Sequence, residues 1–298
     1  MTHKVINLDL DNLTHDACQD VLEILKKELV VVIKKQPTES YKFARLIHGM
    51  NHTIANFQQC VWNEKGDYDI WDQYKDPWEC DQFPVQRVTA QKNSDDDYTG
   101  IFPRGKLDWH ANLNGPNRAD GVALQGIRGV EGTVTSWLNT AVAYEKMPDD
   151  LKKRLSGVHC SYRYNMHNWA DIDNPDQLEF VRKTDAPVYH MYIEQQNNAG
   201  TKGLYFYDNN ELEVKGKDTE LYDDLKEYLF QEEFIYHHEW EVGDIVLSDQ
   251  LLTLHRRPVR PDEVFEKRLL HRYTFPISNT GMVKKFIEER NVISRKNI

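Results

Sequence analysis

Cysteine is scarce in this chain and isolated where it occurs: Cys18, Cys60, Cys80 and Cys160 form no C-x-x-C pair. That spacing argues against a zinc-binding layout or a disulfide framework and leaves free thiols, buried or half-buried, as the reading. Long apolar runs are missing as well. A membrane-spanning helix needs roughly 20 apolar residues, whereas the longest strongly apolar stretch here, Leu29-Val30-Val31-Val32-Ile33, is strand-length and β-branched. The N-terminus carries no signal-peptide apolar segment, so a cytoplasmic protein with no membrane partner is expected. An excess of positive charge is also absent. The net charge of −11 argues against general nucleic-acid binding, which needs a basic surface. Repeats, low-complexity tracts and linkers are lacking too, so the pattern predicts one domain over residues 1–298, a size that large β-rich enzymes often reach as a single unit.

What is present begins with a strand, helix, strand, helix order. Residues 6–10 alternate like a strand. Thr14 has the chemistry of an N-cap, and Ala17, Val21, Leu22, Leu25 and Leu29 follow at helical spacing. Residues 30–33 read as a buried strand, and Thr38 or Ser40 caps a second helix with Phe43, Leu46 and Ile47 on one face. Strand patterns then recur at 84–89, 121–127, 158–164, 234–240 and 245–247, and residues 188–206 read as strand, turn, strand. Short helices are expected at 149–155 and 221–230. The acidic segment 93–97 marks exposed loop. Together these predict a mainly β fold with flanking helices, a β-sandwich or jelly roll.

The segment Leu107-Asp108-Trp109-His110-Ala111-Asn112 carries the most chemistry. In a strand, residues two apart point to the same face, so His110 and Asn112 can both reach one ion. His255 follows an apolar strand far downstream and can close the site. Two imidazoles and a third residue on one face form the layout of a non-haem iron centre, which leaves positions open for other ligands. Arg268 lies thirteen residues beyond His255; its planar fork suits a carboxylate held by two hydrogen bonds, and Thr135 can complete such a grip. Other polar residues have plainer readings. His237 and His238 face opposite sides of a strand and are structural, Trp137 is packing, and Arg256, Arg257 and Arg260 are mostly solvated or paired with acids.

These motifs resemble the taurine dioxygenase-like (clavaminate synthase-like) family of Fe(II)/2-oxoglutarate-dependent oxygenases. Trp109-His110-Ala111-Asn112 is similar to the family's W-H-x-D element. Residues 132–137 with Ala143-Tyr144-Glu145 resemble the stretch that carries its cosubstrate-contacting Thr. Residues 240–250 with His255 resemble the approach to its distal His, and Arg268-Leu269-Leu270-His271-Arg272 resembles its R-x-x-x-R element. The resemblance runs from Leu8 to about Phe275. It implies a double-stranded β-helix (jelly-roll) core. It implies that His110 and His255 bind iron, that Thr135 and Arg268 hold 2-oxoglutarate, and that Arg272 meets an anionic group on the substrate. It implies that O2 and 2-oxoglutarate are consumed, giving succinate and carbon dioxide, while a C–H bond of a small molecule is oxidised, usually to an alcohol. The composition permits a homo-oligomer.

The chain departs from the family at Asn112, where the family carries Asp. A carboxylate brings one negative charge to a ferrous ion; an amide oxygen brings none and binds more weakly. Three outcomes stay open: a neutral third ligand, a position yielded to water or a halide, or a protein that binds cosubstrate-like ligands without turnover. The family's halogenases also lack the carboxylate, though they carry Gly or Ala there. Asp108, two residues before His110, is a weaker candidate to replace it. The substrate itself is expected to be chosen by loops within residues 60–105 and 165–186, where His167 lies.

Overall fold

The computed structural model describes residues 2–51, 63, 65, 67, 76–103, 107–111, 120–163, 188–206, 213–215, 218, 220–258 and 266–277. Asn112, His167, Arg260, Cys60 and the segment 165–186 lie outside the described residues. The chain opens with β1 (Lys4–Ile6), α1 (His15–Glu28), β2 (Val30–Ile33) and α2 (Ser40–Asn51). It continues through β3 (Gln86–Thr89), β4 (Leu107–His110), β5 (Gly121–Arg128) and β6 (Val134–Asn139), then α3 (Thr140–Lys146) and α4 (Asp149–Leu155). Next come β7 (His159–Arg163), β8 (Val188–Tyr192), β9 (Glu194–Gln196), β10 (Lys202–Leu204), β11 (Glu213–Lys215) and α5 (Leu221–Leu229). The last strands are β12 (Ile235–Glu239), β13 (Ile245–Asp249), β14 (Thr253–Arg257) and β15 (Leu269–Phe275).

Two sheets face each other. One is six-stranded, in the order β1-β2-β13-β5-β15-β3; the other is four-stranded, in the order β12-β6-β14-β4. Strand alternation sorts the side chains into three layers. Between the sheets lie Val32, Leu124, Val246 and Leu270 from the larger sheet and Trp137 from the smaller. The outer face of the larger sheet, with Val31, Ala123, Leu247 and Tyr273, packs against α1 and α2 through Leu22, Leu25, Phe43 and Ile47. The outer face of the smaller sheet, with Trp109, Leu138 and Leu254, packs against the layer formed by α3, α4 and α5. Each fully buried Leu, Ile or Phe in these layers contributes roughly 1.5–3 kcal/mol relative to exposure. The apolar layers thus clamp both sheets from outside and leave the space between them for a mixture of apolar and polar groups.

Local chemistry sets the boundaries. Thr14 Oγ1 accepts the Ala17 N–H at 3.2 Å and starts α1, as the sequence predicts. The helix stops at Leu29, whose left-handed φ of 66° turns the chain directly into β2. The expected strand over 6–10 lies earlier in the chain: β1 covers Lys4–Ile6, and only Ile6 is common to both. Asp9 accepts the Asp11 N–H at 2.9 Å and the Asn12 side-chain N–H at 2.7 Å, and these bonds bend the backbone into a 3-10 turn at Leu10–Asn12. The expected hairpin over 188–206 is also divided differently. β8 pairs with β7, while the turn at 197–200 joins β9 to β10. Ile193 separates β8 from β9, fully buried and bonded through its N–H to Val158. Among the described residues, Cys18 and Cys80 are free thiols, and no helix is long and apolar enough to cross a membrane.

The pairing of β5 with β15 shifts register between Leu269 and Leu270, so Ile127 is an extra residue on β5. Such bulges redirect a strand and often lie beside functional groups. Gly129 makes this one possible: its φ is +57°, and a Cβ there would collide with the Lys267 carbonyl. Gly129→Ala is expected to lower stability by about 1–3 kcal/mol through this strain. Urea denaturation checks it, and an unchanged midpoint would show that the bulge relaxes freely.

Candidate functional site

β14 hydrogen-bonds to β4 on one side and β6 on the other, with His255 directly opposite His110 and directly opposite Trp137. Cross-strand partners share a face and touch. The imidazoles of His110 and His255 therefore stand side by side, with ring centroids 4.2 Å apart and planes inclined by 48°. Trp137 flanks His255 on its other side, its ring 6.5 Å away and nearly parallel. All three side chains point into the space between the sheets. The indole of Trp137 is packing, as expected, and the packing is against a site residue.

Burial and partners determine how the imidazoles behave. His110 is only 2% exposed. Its Nδ1 lies 2.7 Å from the Asp108 carbonyl. A carbonyl only accepts, so Nδ1 carries the proton and Nε2 the lone pair. Burial pushes the His110 pKa down to about 4; the Asp108 hydrogen bond opposes this, and the charges of Arg272 and Arg257 reinforce it. His255 is held well below the usual histidine range by burial, then by His110 and Arg272. Both rings are neutral at neutral pH, the form that binds metal.

Three buried arginines share the space between the sheets with this pair, and Arg272 and Arg257 act on it directly. Arg268, at 3% exposure, and Arg272, at 6%, share strand parity with Leu270, which faces the space between the sheets. Arg272 donates through Nη1 to Gln86 Oε1 on β3. The third is Arg257, at 4% exposure, which lies two residues beyond His255 on the same face and donates to the Phe102 carbonyl at 2.9 Å. This corrects the expectation that Arg257 is solvated. Arg256 departs from it as well: it is half-buried on the opposite face, with its guanidinium 4.5 Å from the Trp109 ring. The signal for Arg257 was available as i+2 parity with His255, but a run of neighbouring arginines hid it. Burial depresses the pKa of Arg268, and the like charge of Arg257 adds to this. A guanidinium keeps its proton in proteins, so an anionic ligand relieves that pressure.

Thr135 sits on β6 two residues before Trp137 and shares its face; its Oγ1 accepts the Trp240 indole N–H at 2.9 Å. His238 lies opposite Thr135 on β12 and is buried, whereas His237 on the other face bonds to Ser136 and Glu232, so the two do face opposite sides as expected. Asp108 contributes its carbonyl to His110 and does not complete a metal-binding trio: among the described residues no group of three His, Cys, Asp or Glu could hold an ion.

The donor set fits a ferrous ion and a dicarboxylate. Two imidazoles bound side by side through bonds of about 2.0–2.1 Å keep their rings roughly 4–5 Å apart, which matches the observed pair. Among the described residues, the buried polar atoms Trp137 Nε1 and Thr274 Oγ1 in the space between the sheets have no hydrogen-bond partner. Orphaned groups of this kind call for a ligand or an ordered water.

The chain matches the taurine catabolism dioxygenase TauD, TfdA family over residues 2–274 and belongs to it. It is 30% identical over 147 residues to an alpha-ketoglutarate-dependent 2,4-dichlorophenoxyacetate dioxygenase of Burkholderia sp. (strain RASC), covering 48% of this chain and 48% of the relative. It is 27% identical over 186 residues to pentalenolactone F synthase of Streptomyces avermitilis, covering 56% and 60%. The chain thus spans about half the length of the curated relatives it matches. Among solved structures, AAD-2 in complex with Mn(II) and N-oxalylglycine superposes with a TM-score of 0.62 at 18% identity, covering 92% of this chain and 94% of that one. A taurine dioxygenase from Burkholderia xenovorans gives 0.62 at 19% identity, covering 92% and 87%. The chain shares the fold of these proteins.

Burial of neutral histidines has a consequence for stability. His238 and His271 are also pushed down, to about 4 and about 3, by burial first. With His110 and His255, they bind protons in the unfolded chain, near the ordinary value of 6.5, before they do so in the folded one. Stability contributed by the four is present above 6.5 and is lost as pH falls through the window between 6.5 and about 4. Asp249 opposes them: burial and Asp120 raise it from 3.8 to about 7, so its contribution fades as pH rises between those values. Four imidazoles outweigh one carboxyl, and the urea midpoint of the metal-free protein is expected to be lower at pH 5 than at pH 7. A higher midpoint at pH 5 would contradict the neutral buried pair.

Proposed function

We propose that this chain is an Fe(II)- and 2-oxoglutarate-dependent oxygenase that oxidises, most simply hydroxylates, a small anionic metabolite or amino acid. The observation that carries this reading is the His110–His255 pair at 4.2 Å on a buried face shared with Arg257, with Arg268 and Arg272 across the intersheet space. We read the two sheets as one double-stranded β-helix domain over residues 1–298, located in the cytoplasm. Bound Fe(II) supplies the redox chemistry that couples 2-oxoglutarate decarboxylation by O2 to oxidation of a C–H bond.

The chain's own residues bind and orient. The lone pairs of His110 and His255 would hold the ion, and the Asp108 carbonyl fixes the His110 tautomer. By its sequence position two residues after His110, Asn112 would be the third donor, a neutral one through its amide oxygen. Arg268 and Thr135 take the far carboxylate of 2-oxoglutarate. Arg272, braced by Gln86, takes an anionic group of the substrate. The apolar layer formed by Val32, Leu124, Val246 and Leu270 limits water in the intersheet space and strengthens each of these charge contacts.

Asn112 itself favours a second reading. Without the carboxylate, the metal would lack one negative charge that a halide would supply, and the buried Arg257, Arg268 and Arg272 add positive charge nearby. A halogenase, or another oxidase that does not hydroxylate, would use the same site, and a binding protein that has lost turnover would keep only its anion-binding half.

Anaerobic addition of Fe(II) and 2-oxoglutarate is expected to give a weak visible charge-transfer band, and admitting O2 is expected to give succinate. His110→Ala and His255→Ala should abolish both. Arg268→Met should weaken 2-oxoglutarate about a hundredfold, the loss expected for a charge-assisted bidentate contact, while metal binding persists. A band that moves on adding chloride or bromide would favour the halide reading. A band with no succinate from any substrate would favour the binding protein, and no band at all would overturn the oxygenase.

A further inference from the structure

Trp240 lies in the layer between the sheets, 2% exposed, immediately after β12. Three neighbours hold its ring. His238 meets it edge to face at 4.5 Å, and Trp137 lies 6.2 Å away at a tilt of 60°. From the larger sheet, Gly126 gives it room: a Cβ at that position would come within 3.3 Å of Trp240 Cε3 and 2.8 Å of the Glu241 carbonyl. The residues behind the ring are tied down as well. His238 Nδ1 is 2.7 Å from the Tyr236 hydroxyl, and Nε2 is 3.2 Å from the buried carboxylate of Asp244, which Lys34 clamps at 2.5 Å. The indole N–H has a single direction available, and it donates to Thr135 Oγ1 at 2.9 Å.

That contact decides how Thr135 presents itself. A threonine hydroxyl has one hydrogen and two lone pairs and rotates to suit its surroundings. An indole N–H only donates, so it occupies a lone pair and turns the hydroxyl hydrogen away from Trp240. An anionic carboxylate needs a donor. We propose that Trp240 is a positioning residue that sets the Thr135 hydroxyl as a hydrogen-bond donor toward the far carboxylate of the cosubstrate, and so contributes to selection of a keto-diacid over a keto-monoacid. This rests on the reading of Thr135 as a cosubstrate contact. Trp240 acts through Thr135 and touches neither the ion nor the keto group.

A double-mutant cycle separates the two claims, because residues that act as a unit give non-additive losses. Wild type, Thr135→Val, Trp240→Phe and the double variant would be titrated calorimetrically with 2-oxoglutarate in the presence of Fe(II) without oxygen. Oxamate, which offers the metal-chelating end but has no distal carboxylate, serves as a second probe. Thermal melts report folding, and Thr135→Ser, which keeps the hydroxyl, should bind like wild type. Each single variant is expected to lose about tenfold in affinity for 2-oxoglutarate, as for one hydrogen bond to a charged group. The double variant should lose no more than either single one, with oxamate binding unchanged throughout. If Thr135→Val alone has no effect, the reading of Thr135 fails and the inference goes with it. If Thr135→Val weakens binding but Trp240→Phe does not, or if the losses multiply, or if oxamate weakens equally, Trp240 is overturned as a positioning residue while Thr135 stands.

Discussion

The site depends on one register: β4 lies beside β14 so that His110 and His255, 145 residues apart in the sequence, occupy opposing positions on the same face. A slip of one residue would turn one imidazole toward the helix layer outside, because strand faces alternate. The register is protected from both sides. Trp109 and Leu254 anchor the outer face in the apolar layer with α3, α4 and α5, and Trp137 packs against His255 on the inner face. The alternation that buries Trp109 outward is the same alternation that aims His110 inward.

The inner face combines groups that would be costly if nothing occupied the space among them. Neutral imidazoles sit beside buried guanidiniums, and each cation shifts its neighbours. Arg272 bears on both His110 and His255, and Arg257 bears on His110 and Arg268. In the proposed reading, the far carboxylate of the cosubstrate and an anionic group of the substrate would each meet a guanidinium in this space. Asn112 fits the same logic from the sequence side. Replacing a carboxylate by an amide leaves the proposed metal one negative charge short, a demand that another ligand would have to meet. The proposed oxygenase, the halide variant and the binding protein differ in how that demand is met.

Much of this was legible before any coordinates, for definite reasons. Helix α1 announces itself through Thr14 and the spacing of Val21, Leu22 and Leu25, and β2 and β13 through their β-branched and apolar runs. His110, His255, Thr135, Arg268 and Arg272 stood out by spacing and by resemblance to known motifs, and the fold brings His110 and His255 side by side and buries Arg268 and Arg272. Other features were hidden by long-range contacts. Asp9 turns residues 10–12 into a 3-10 helix through local hydrogen bonds, where the alternating pattern suggested strand. The division of residues 188–206 depends on β8 finding β7, which no local pattern declares. Arg257 looked like one more surface charge in a basic run. Trp240 and Gly126 carry meaning only once two sheets bring them together.

The central claim is that His110 and His255 share one metal ion while Arg268 grips the tail of a keto-diacid. Crystals grown with Mn(II) and N-oxalylglycine, measured at a wavelength where manganese scatters anomalously, test it most directly. The account predicts a single strong anomalous peak bonded to both imidazoles, with the distal carboxylate of the ligand against the Arg268 guanidinium. A peak elsewhere, or a ligand turned away from Arg268, would contradict it.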